Sequence, residues 1–594
     1  MRCEDVKLPG WNSVRAWVCL RARGILLLSL GLLAVACGGG GSSDPAVQGD
    51  NTPPTLSITD DMTNLVAKGP VTFTFTFSEP IQATFDQARI TVAGGTAGAF
   101  TRVGDLVSTL VVTPTANQQG TLTVSVPAGA YQDLAGNANV AASAASQGYD
   151  TTPVIPTSTS LTKNSTRFMH FKYQVNADGS LASVDTSQQV ASDFETYVLE
   201  NNLLRVTVLP GFGGRVLSII YKPTNSELLY QNPVGTVYGI GQGNFYYDYL
   251  MVYGGIFPTF PEPEHGKTWC LPWSVTVLED TTSRVAIQLA FTDNLEPFPG
   301  VPSKFNNGKT GLVCTMTVAL EADSARLDLD FTLTNPASSP VTYEYWTCQT
   351  YAPGSTPGNT YSPLNTKIVV PIQRVIVADG SWPWMGSAEQ STGSSHEFYY
   401  QNLSLYQNWT DMGIAYASPG VVQPWYGVVN RSNNQGVVRI SENVVTPGLK
   451  FWTWGKGSLN NNPNNPGDPA RSYIELWAGH GSQFFQDHSM AALAVKAWRE
   501  SYYPTFGLDD YTKASQAAAC KLTRQGTTLT ALVSTAMPGA TVTGAFFSGG
   551  TLLASSAKTA ASGQADAWSY TGAETGLSFR LLNAQNQVLL EVGE

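Results

Sequence analysis

Apolar and polar residues alternate with a period of two along much of the chain. Between about residues 53 and 154, runs such as "VTFTFTFSEP", "LVSTLVVTP" and "GTLTVSVPAG" place threonine or serine between Val, Phe and Leu. Gly, Pro or Asn interrupts these runs about every 8–12 residues, which is typical of short strands joined by turns. The pattern predicts a β-sandwich over residues 53–154.

The same alternation continues from 191 to 512, in runs such as "TYVLENNLLRVTVLP" and "RVAIQLAFTD". Helical periodicity is convincing only in "SMAALAVKAWRESYY", residues 489–503. So long a stretch of strands predicts a large sandwich of two broad sheets. Residues 155–190 are polar and weakly patterned, which indicates a linker or a lead-in strand, and residues 520–594 predict a small C-terminal β-sandwich module. The predicted fold class is all-β.

Composition and charge limit the class of molecule that the protein is expected to bind. A chain of 594 residues is expected to form several domains. Its net charge of −11 and pI of about 5.0 argue against nucleic acid, which is bound through basic patches. The 14 Trp, 25 Tyr and 24 Phe could line a core or stack on sugars. We therefore expect a carbohydrate or polysaccharide as partner.

The N-terminus resembles an export signal. Arg15, Arg21 and Arg23 precede the apolar run "GILLLSLGLLAVAC", which is the order of a signal peptide over residues 1–36. "LAVAC" resembles a bacterial lipobox and predicts cleavage before Cys37 and lipidation of its thiol. Residues 37–52 would be a flexible Gly/Ser tether. We expect a lipid-anchored protein of the bacterial cell envelope, periplasmic or extracellular, touching the membrane through its lipid only. An ordinary signal peptide with an incidental cysteine is the alternative.

Four cysteines remain after the signal: Cys270, Cys314, Cys348 and Cys520. Their spacing contains no CxxC, and their disulfide pairing stays open. Cys314 and Cys348 lie in apolar runs and are predicted to be buried thiols. The sequence contains no HxH or HExxH, and we predict neither a metal nor a cofactor.

Two family resemblances follow from longer stretches. "FTFTFSEPI", "ITVAGGTAGAFT" and "GTLTVSVPAGAYQDLAGNAN" resemble bacterial immunoglobulin-like repeats of surface proteins. This resemblance implies a spacer or adhesion module without catalytic residues. Asp133 and Asn137 in "DLAGNAN" favour an Asx-rich turn over a calcium site.

The region of about residues 190–510 opens with "ETYVLENNLLRVTVLPGFGGRVLSIIYKPTNSELLYQNPV". With this opening, the region resembles the galactose mutarotase-like (aldose epimerase) superfamily. "YWTCQTYAP" (345–353), "KFWTWGKG" (450–457), "YIELWAG" (473–479) and "YYP" (502–504) resemble an uncharacterised bacterial branch of it, a domain of unknown function. The resemblance implies a β-supersandwich whose concave face binds sugar. The chain departs from mutarotases at 347–349, where Thr-Cys-Gln replaces a strand histidine, and at 471–472, where Arg-Ser replaces part of a Glu-Pro-Gly.

Candidate catalytic residues come from the stretch "GGIFPTFPEPEHGKTW", residues 254–269. Pro258, Pro261 and Pro263 remove amide donors and stiffen this loop. His265 between Glu262 and Glu264 could serve as a general acid or base, or be a solvated loop histidine. Glu475 in "YIEL" completes the predicted catalytic set, with Glu344 a weaker candidate.

Substrate-binding candidates lie on either side of this loop. Arg215 follows a Gly213–Gly214 turn and could clamp a hydroxyl or carboxylate, or pair with a buried acid. Trp452 and Trp454 share one strand face, directed to the core or to a sugar. The remaining predicted contacts are Tyr247, Trp269 and His480.

The predicted function is that of an exported, lipid-anchored protein that binds glycans and acts on them as a glycoside hydrolase, lyase or epimerase. A hydrolase would need two carboxyls across the cleft. A lyase would need His265 or a tyrosine as base, with Arg215 neutralising a uronate. The alternative is a non-catalytic glycan-binding lipoprotein or adhesin. Convergence of His265, an acid and Arg215 in one cleft would favour the enzyme over the binding protein, and the sequence leaves both alternatives open.

Overall fold

The computed structural model describes residues 50–62, 66–67, 69–115, 119–151, 158–175, 181–235, 254–262, 271–294, 308–377, 383–386, 397–457 and 472–594. Contacts divide the chain into two compact units, which meet in sequence at Val154 and Ile155. The described residues are almost all in strands, as the period-two pattern predicts. They contain no helix long and apolar enough to cross a membrane.

The first unit is a small β-sandwich, as predicted. A four-stranded sheet has the order β1-β2-β5-β4, and a three-stranded sheet has the order β3-β6-β7. Phe73, Phe75, Leu110 and Leu122 lie in the core between them. The strands are β1 Leu56–Asp60, β2 Val71–Phe77, β3 Thr91–Ala93, β4 Gly95–Arg102, β5 Val107–Pro114, β6 Gln119–Ser125 and β7 Ala145–Asp150, with a 3-10 turn at Gln87–Arg89.

The second unit contains the two broad sheets that the sequence predicts. The larger has twelve described strands, in the order β22-β21-β23-β26-β27-β19-β12-β11-β10-β9-β8, and β13 pairs with both β11 and β19. These strands are β8 Ser160–Val175, β9 Leu181–Glu200, β10 Leu204–Leu209, β11 Arg215–Tyr221, β12 Ser226–Leu229, β13 Ile256–Thr259, β19 Trp346–Ser355, β21 Arg374–Val377, β22 Glu397–Tyr399, β23 Gly413–Ser418, β26 Gly448–Thr453 and β27 Ile474–Gly479.

The smaller sheet has eight described strands in the order β14-β15-β16-β17-β29-β25-β24-β20, and β18 pairs with β28 beside it. Apolar residues of both sheets form one core, for example Val206 and Tyr351 from the larger and Leu289 and Leu329 from the smaller. The strands are β14 Ser274–Asp280, β15 Arg284–Thr292, β16 Val313–Glu321, β17 Leu327–Thr334, β18 Val341–Tyr343, β20 Lys367–Val369, β24 Trp425–Asn430, β25 Gln435–Ser441, β28 His488–Met490 and β29 Val495–Phe506.

Short helical segments are confined to connections. The α-helical turn spans Pro383–Gly386, and 3-10 turns span Lys222–Thr224, Tyr400–Leu403 and Tyr406–Asn408. The prediction of helical periodicity at 489–503 is wrong, because this stretch forms β28 and most of β29. Strand β29 is hydrogen-bonded to β17 on one side and β25 on the other, and pairing on both edges overrides the helix-like spacing of its apolar residues.

The segment 155–190 contributes β8 and the first half of β9, which pair along most of their length at the edge of the larger sheet. Of the two alternatives, linker or lead-in strand, the structure has the strand. The polar composition fits a ladder whose side chains are largely exposed.

A fully buried ion pair lies between the two sheets. Arg439 on β25 and Glu500 on β29 have no solvent-exposed side-chain surface, and their charged atoms are 3.0 Å apart. The Glu500 carboxylate also accepts hydrogen bonds from Tyr502, Thr347 and Trp498. Arg439 donates to the side chains of Asn443 and Thr446. Hydrogen bonds of this number offset the cost of removing both charges from water.

The C-terminal segment forms the predicted small β-sandwich. Its two four-stranded sheets have the orders β30-β31-β32-β35 and β34-β33-β36-β37. Leu529, Phe546 and Phe579 lie in its own core, and a second apolar cluster joins it to the large sandwich through Trp425, Tyr503 and Ala536. The strands are β30 Lys513–Ala514, β31 Ala518–Gln525, β32 Thr528–Thr535, β33 Thr541–Ser548, β34 Thr551–Thr559, β35 Asp566–Thr571, β36 Leu577–Asn583 and β37 Val588–Gly593.

Candidate functional site

The Gly213–Gly214 turn positions Arg215 at the start of β11. Both glycines have positive φ, +77° and +56°. A Cβ on Gly214 would lie 2.5 Å from the Trp273 ring, so glycine is required there by conformation and by space. The Arg215 guanidinium is buried and donates to the carbonyl oxygens of Phe212 (2.7 Å) and Gly254 (2.8 Å). The turn therefore gives this cation a fixed direction.

A second glycine pair places β13 between β11 and β19. Gly254 and Gly255 have φ of +78° and +99°. A Cβ would lie 1.9 Å from the Tyr230 carbonyl oxygen at Gly254 and 2.3 Å from that of Val216 at Gly255. Because the backbone at Gly254 and Gly255 packs this closely, Phe257 lies beside Arg215. The Arg215 Cζ is 4.2 Å from the centre of the Phe257 ring. The opening of the 254–269 stretch is thus a structural requirement of this sheet.

The larger sheet has one face on the inter-sheet core and one face turned away from it. On β27, Ile474 and Leu476 belong to the core, so Glu475 and Trp477 point to the opposite face. The Glu475 carboxylate accepts a hydrogen bond from Trp477 Nε1 at 2.8 Å and one from the Tyr473 hydroxyl at 3.2 Å. Glu475 is only 7% exposed. Its carboxylate is therefore held in one orientation.

Lys450 on β26 lies beside Trp477, its register partner on β27. The ammonium is 4.1 Å from the Trp477 ring centre and 4.6 Å from that of Phe484. Lys450 is 1% exposed. Within the described ranges no carboxylate comes within 4.0 Å of this ammonium. Its charge is held by ring faces rather than by a counter-ion.

Aromatic rings continue this face beyond Glu475. Trp452 lies 5.0 Å from Trp454 and 5.6 Å from Tyr473 by ring centres. Tyr473 stacks on Tyr230 at 4.1 Å with an interplanar angle of 10°. Trp452 and Trp454 therefore share a face away from the inter-sheet core. We call the following residues the outer-face cluster: Arg215, Tyr230, Phe257, Lys450, Trp452, Trp454, Tyr473, Glu475, Trp477 and Phe484.

His480 lies apart from the outer-face cluster. Its Nδ1 is 3.0 Å from the Tyr343 hydroxyl, and its ring stacks on Tyr345 at 5.0 Å and meets Trp498 edge-on at 4.9 Å. Tyr345 and Trp498 belong to the inter-sheet core. Burial, and then Lys496 and His488, lower the pKa of His480 to about 3. It is a neutral core residue at physiological pH, a position that does not suit its predicted contact with substrate.

Two other acids lie at one end of this sheet. Glu262 is 4% exposed, and Glu344 is 2% exposed and donates its amide to the Pro261 carbonyl oxygen at 2.6 Å. Burial raises the pKa of Glu344 to about 7, although Trp346 Nε1 and the amides of Phe485 and Gln486 donate to its carboxylate. Glu344 is therefore an acid that can hold a proton near neutral pH.

Several predicted site residues lie outside the described residues: His265, Glu264, Tyr247, Trp269 and the lipidation residue Cys37. Their roles stay predictions. Of the rest, the structure brings Arg215, Glu475, Trp452 and Trp454 into one cluster. It leaves His480 in the core.

The sequence interpretation missed Lys450, Trp477 and Phe257. The signal was available in "KFWTWG", where the period of two that aligns Trp452 with Trp454 also includes Lys450. In "YIELW" the same period places Trp477 on the face of Glu475. Phe257 lacked such a signal, because its place depends on β13 pairing with β11 and β19.

The cysteines of the described residues follow the expectation of burial. Cys314 and Cys520 are buried free thiols, and burial raises the pKa of Cys520 to about 12 and that of Cys314 further. Cys348 is buried as well. Thiols with raised pKa values are poor nucleophiles, so these positions do not suit cysteine catalysis.

Three acidic side chains of the first unit lie close together. Oxygens of Asp50, Glu79 and Asp133 lie within 4.8 Å of one another. Asp133 accepts hydrogen bonds from the amide and side chain of Asn137, the Asx turn that the sequence favours. Burial, with Asp50 and Asp133 nearby, raises the pKa of Glu79. The hydrogen bonds of the Asx turn account for the position of Asp133 in this group.

Comparison with known families divides the chain in the same way. Residues 50–149 match the model of a bacterial Ig-like domain. They form a bacterial Ig-like domain. Residues 180–293 match the domain of unknown function DUF5107, which covers the strands from β9 to β15 including Arg215 and Glu262. Both matches agree with the resemblances drawn from the sequence.

Similar solved structures include a TPR-domain protein from Parabacteroides distasonis, with 16% identity, a TM-score of 0.46, and coverage of 59% of this chain and 56% of that one. An aldose 1-epimerase candidate from Klebsiella pneumoniae has 14% identity, a TM-score of 0.39 and coverage of 56% and 82%. A galactose mutarotase-like protein from Clostridium acetobutylicum has 11% identity, a TM-score of 0.36 and coverage of 53% and 96%. The chain thus spans little more than half of the first of these proteins.

Proposed function

We propose that the outer-face cluster binds carbohydrate and that Glu475 is its acid–base group. One observation carries this proposal: a buried carboxylate, oriented by Trp477 at 2.8 Å and Tyr473 at 3.2 Å, lies among aromatic rings on the face of the sheet turned away from the core. Aromatic faces accept the apolar side of a sugar ring, and polar groups among them fix its orientation.

The reaction class would be glycoside hydrolysis, β-elimination or epimerisation. Each needs a group that moves a proton at the sugar, and we assign this role to Glu475. Glu344, with its pKa near 7, is the described acid best suited to donate a proton at neutral pH. His265 and Glu264 stay candidates for the partner of Glu475.

We further propose the wider setting that the N-terminal sequence predicts. The protein would be exported, lipid-anchored through Cys37 and placed in the cell envelope, with the Ig-like domain as a spacer. Its partner would be a glycan rather than nucleic acid, in keeping with the net charge of −11.

Non-catalytic glycan binding is the second candidate. The observation in its favour is that Arg215 donates two hydrogen bonds to backbone carbonyl oxygens and that Glu475 accepts two from neighbouring side chains. Side chains held by such hydrogen bonds could form part of a binding surface without transferring a proton.

The test compares the wild-type protein with Glu475→Gln and with Glu591→Gln, a surface control on the C-terminal module. A panel of polysaccharides is assayed for binding by affinity electrophoresis and for products by chromatography. We expect product formation by the wild type and the control, and loss of product with retained binding in Glu475→Gln. Binding without product in the wild type would support the second candidate, and absence of binding across the panel would contradict both.

A further inference from the structure

Lys450 is an exception among the buried cations of the described residues. Three lysine or arginine side chains there are buried: Arg215, Arg439 and Lys450. Arg439 pairs with Glu500, and Arg215 donates to two carbonyl oxygens. The Lys450 ammonium instead lies over the rings of Trp477 and Phe484, as a cation–π contact. We infer that the sugar bound by the outer-face cluster is anionic and that Lys450 binds its charged group, an inference that rests on the proposed carbohydrate function.

The chemistry of an ammonium supports this assignment. It carries three N–H donors, and ring faces attract its charge without accepting from it as an oxygen would. Buried charges in proteins are normally paired, because the loss of hydration is otherwise uncompensated. The oxygens of a bound carboxylate, phosphate or sulfate would supply the acceptors and the counter-charge that the described residues do not provide.

The position of Lys450 suits one sugar ring. Along β26, Lys450 and Trp452 are two residues apart on the same face, about 7 Å at the rise of a strand. Their register partners on β27 are Trp477 and Glu475. A sugar stacked on the partly exposed Trp452 ring would have an exocyclic acid at Lys450 while its ring atoms lie toward Glu475. A monosaccharide unit spans such a distance.

The same arrangement disfavours a neutral sugar at this position. Hydroxyl groups would accept hydrogen bonds from Lys450 but bring no charge to offset its burial. Phe484 lies 4.6 Å from the ammonium, and its ring centre is 5.6 Å from that of Trp477 and 5.0 Å from that of Trp346. Selectivity would therefore come from charge rather than from a particular hydroxyl.

The experiment measures binding of matched oligosaccharides to the full-length protein by calorimetry. The probes are oligogalacturonate, neutral oligogalactoside, and galactose carrying a phosphate or a sulfate. The variants are Lys450→Met, Lys450→Arg and the exposed control Lys163→Met. We expect the wild type, Lys163→Met and Lys450→Arg to prefer one acidic probe, and Lys450→Met to lose about tenfold in affinity for it, the value of one charge-assisted contact, while keeping its neutral affinity. The preferred probe distinguishes a carboxylate from a phosphate or sulfate.

The experiment distinguishes failure of this inference from failure of the proposed carbohydrate function. An unchanged acidic preference in Lys450→Met, or a wild type that binds neutral sugars as tightly as acidic ones, would overturn this inference and leave the proposed function standing. No binding of any sugar would overturn both. Reductive methylation of wild-type lysines, read out by mass spectrometry, gives a second measurement that does not depend on any variant. Protection of Lys450 by the acidic oligosaccharide alone supports the inference, and equal modification with both contradicts it.

Discussion

Two regions of the large sandwich bury charge in opposite ways. Between the sheets, Arg439 and Glu500 pair at 3.0 Å, and five further polar side chains saturate them. On the outer face, Lys450 is as deeply buried but rests on two aromatic rings. The first arrangement is complete within the described residues, and the second has no counter-ion among them. The difference separates a structural charge from a functional candidate.

The largest expected effect comes from breaking the complete network. Glu500→Ala leaves Arg439 buried without a counter-ion, and we expect the free energy of unfolding to fall by about 3–5 kcal/mol. Denaturant unfolding measures it. Arg580→Ala, which breaks the surface pair with Glu591, is the matched control and should cost at most about 1 kcal/mol. A loss for Glu500→Ala no larger than for the control would contradict the comparison.

An intermediate effect concerns pH. Burial raises the folded-state pKa of Glu344 to about 7 from an ordinary value of 4.5. Its protonated form is favoured by folding, so its contribution to stability is complete below about pH 4.5 and is lost as pH rises through about 7. Glu500 has the opposite sign, because Arg439 and its hydrogen-bond donors lower its pKa against the effect of burial.

The check is a series of thermal unfolding midpoints between pH 4.5 and 8. In the wild type, stability should decline as the pH rises toward 8. Glu344→Gln should remove about 1–2 kcal/mol of that decline at pH 8, after allowance for solvent screening. Glu591→Gln should leave the profile unchanged. The same slope in Glu344→Gln and wild type would show that Glu344 titrates at an ordinary pKa.

The smallest effect is expected at Lys450. Lys450→Met replaces an ammonium that has no ion pair among the described residues with an apolar chain of similar length, so the free energy of unfolding should change by less than about 1 kcal/mol, or increase. Denaturant unfolding of the ligand-free protein measures it, beside Lys163→Met. A loss comparable to that of Glu500→Ala would place Lys450 with the structural charges.

The fold was accessible from the sequence wherever one strand face is apolar and the other polar. The alternation in "VTFTFTFSEP" predicted the Ig-like sandwich, and the glycines before Arg215 predicted a tight turn. The error at 489–503 arose because Ala, Met and Leu are spaced there as in a helix, while β17 and β25 decide the outcome from distant parts of the chain. Local pattern cannot report such pairing.

The site was predictable in part. Alternation along one strand placed Trp452 with Trp454, and the Gly-Gly turn singled out Arg215. Lys450 escaped notice because lysine is rarely buried and suggests an exposed position. His480 shows a related limit, because its ring contacts Tyr343 and Tyr345, which lie far from it in the sequence.

The apolar cluster that joins the C-terminal module to the large sandwich has a practical consequence. Trp425 and Tyr503 from the sandwich share it with Ala536 from the module, and the Tyr221 hydroxyl is hydrogen-bonded to Ser562 across the same junction. An expression boundary drawn near residue 512 would cut through a shared interior and leave aromatic surface facing water. For engineering purposes the last 80 or so residues belong with the large sandwich that carries the outer-face cluster, and they are not a detachable tag.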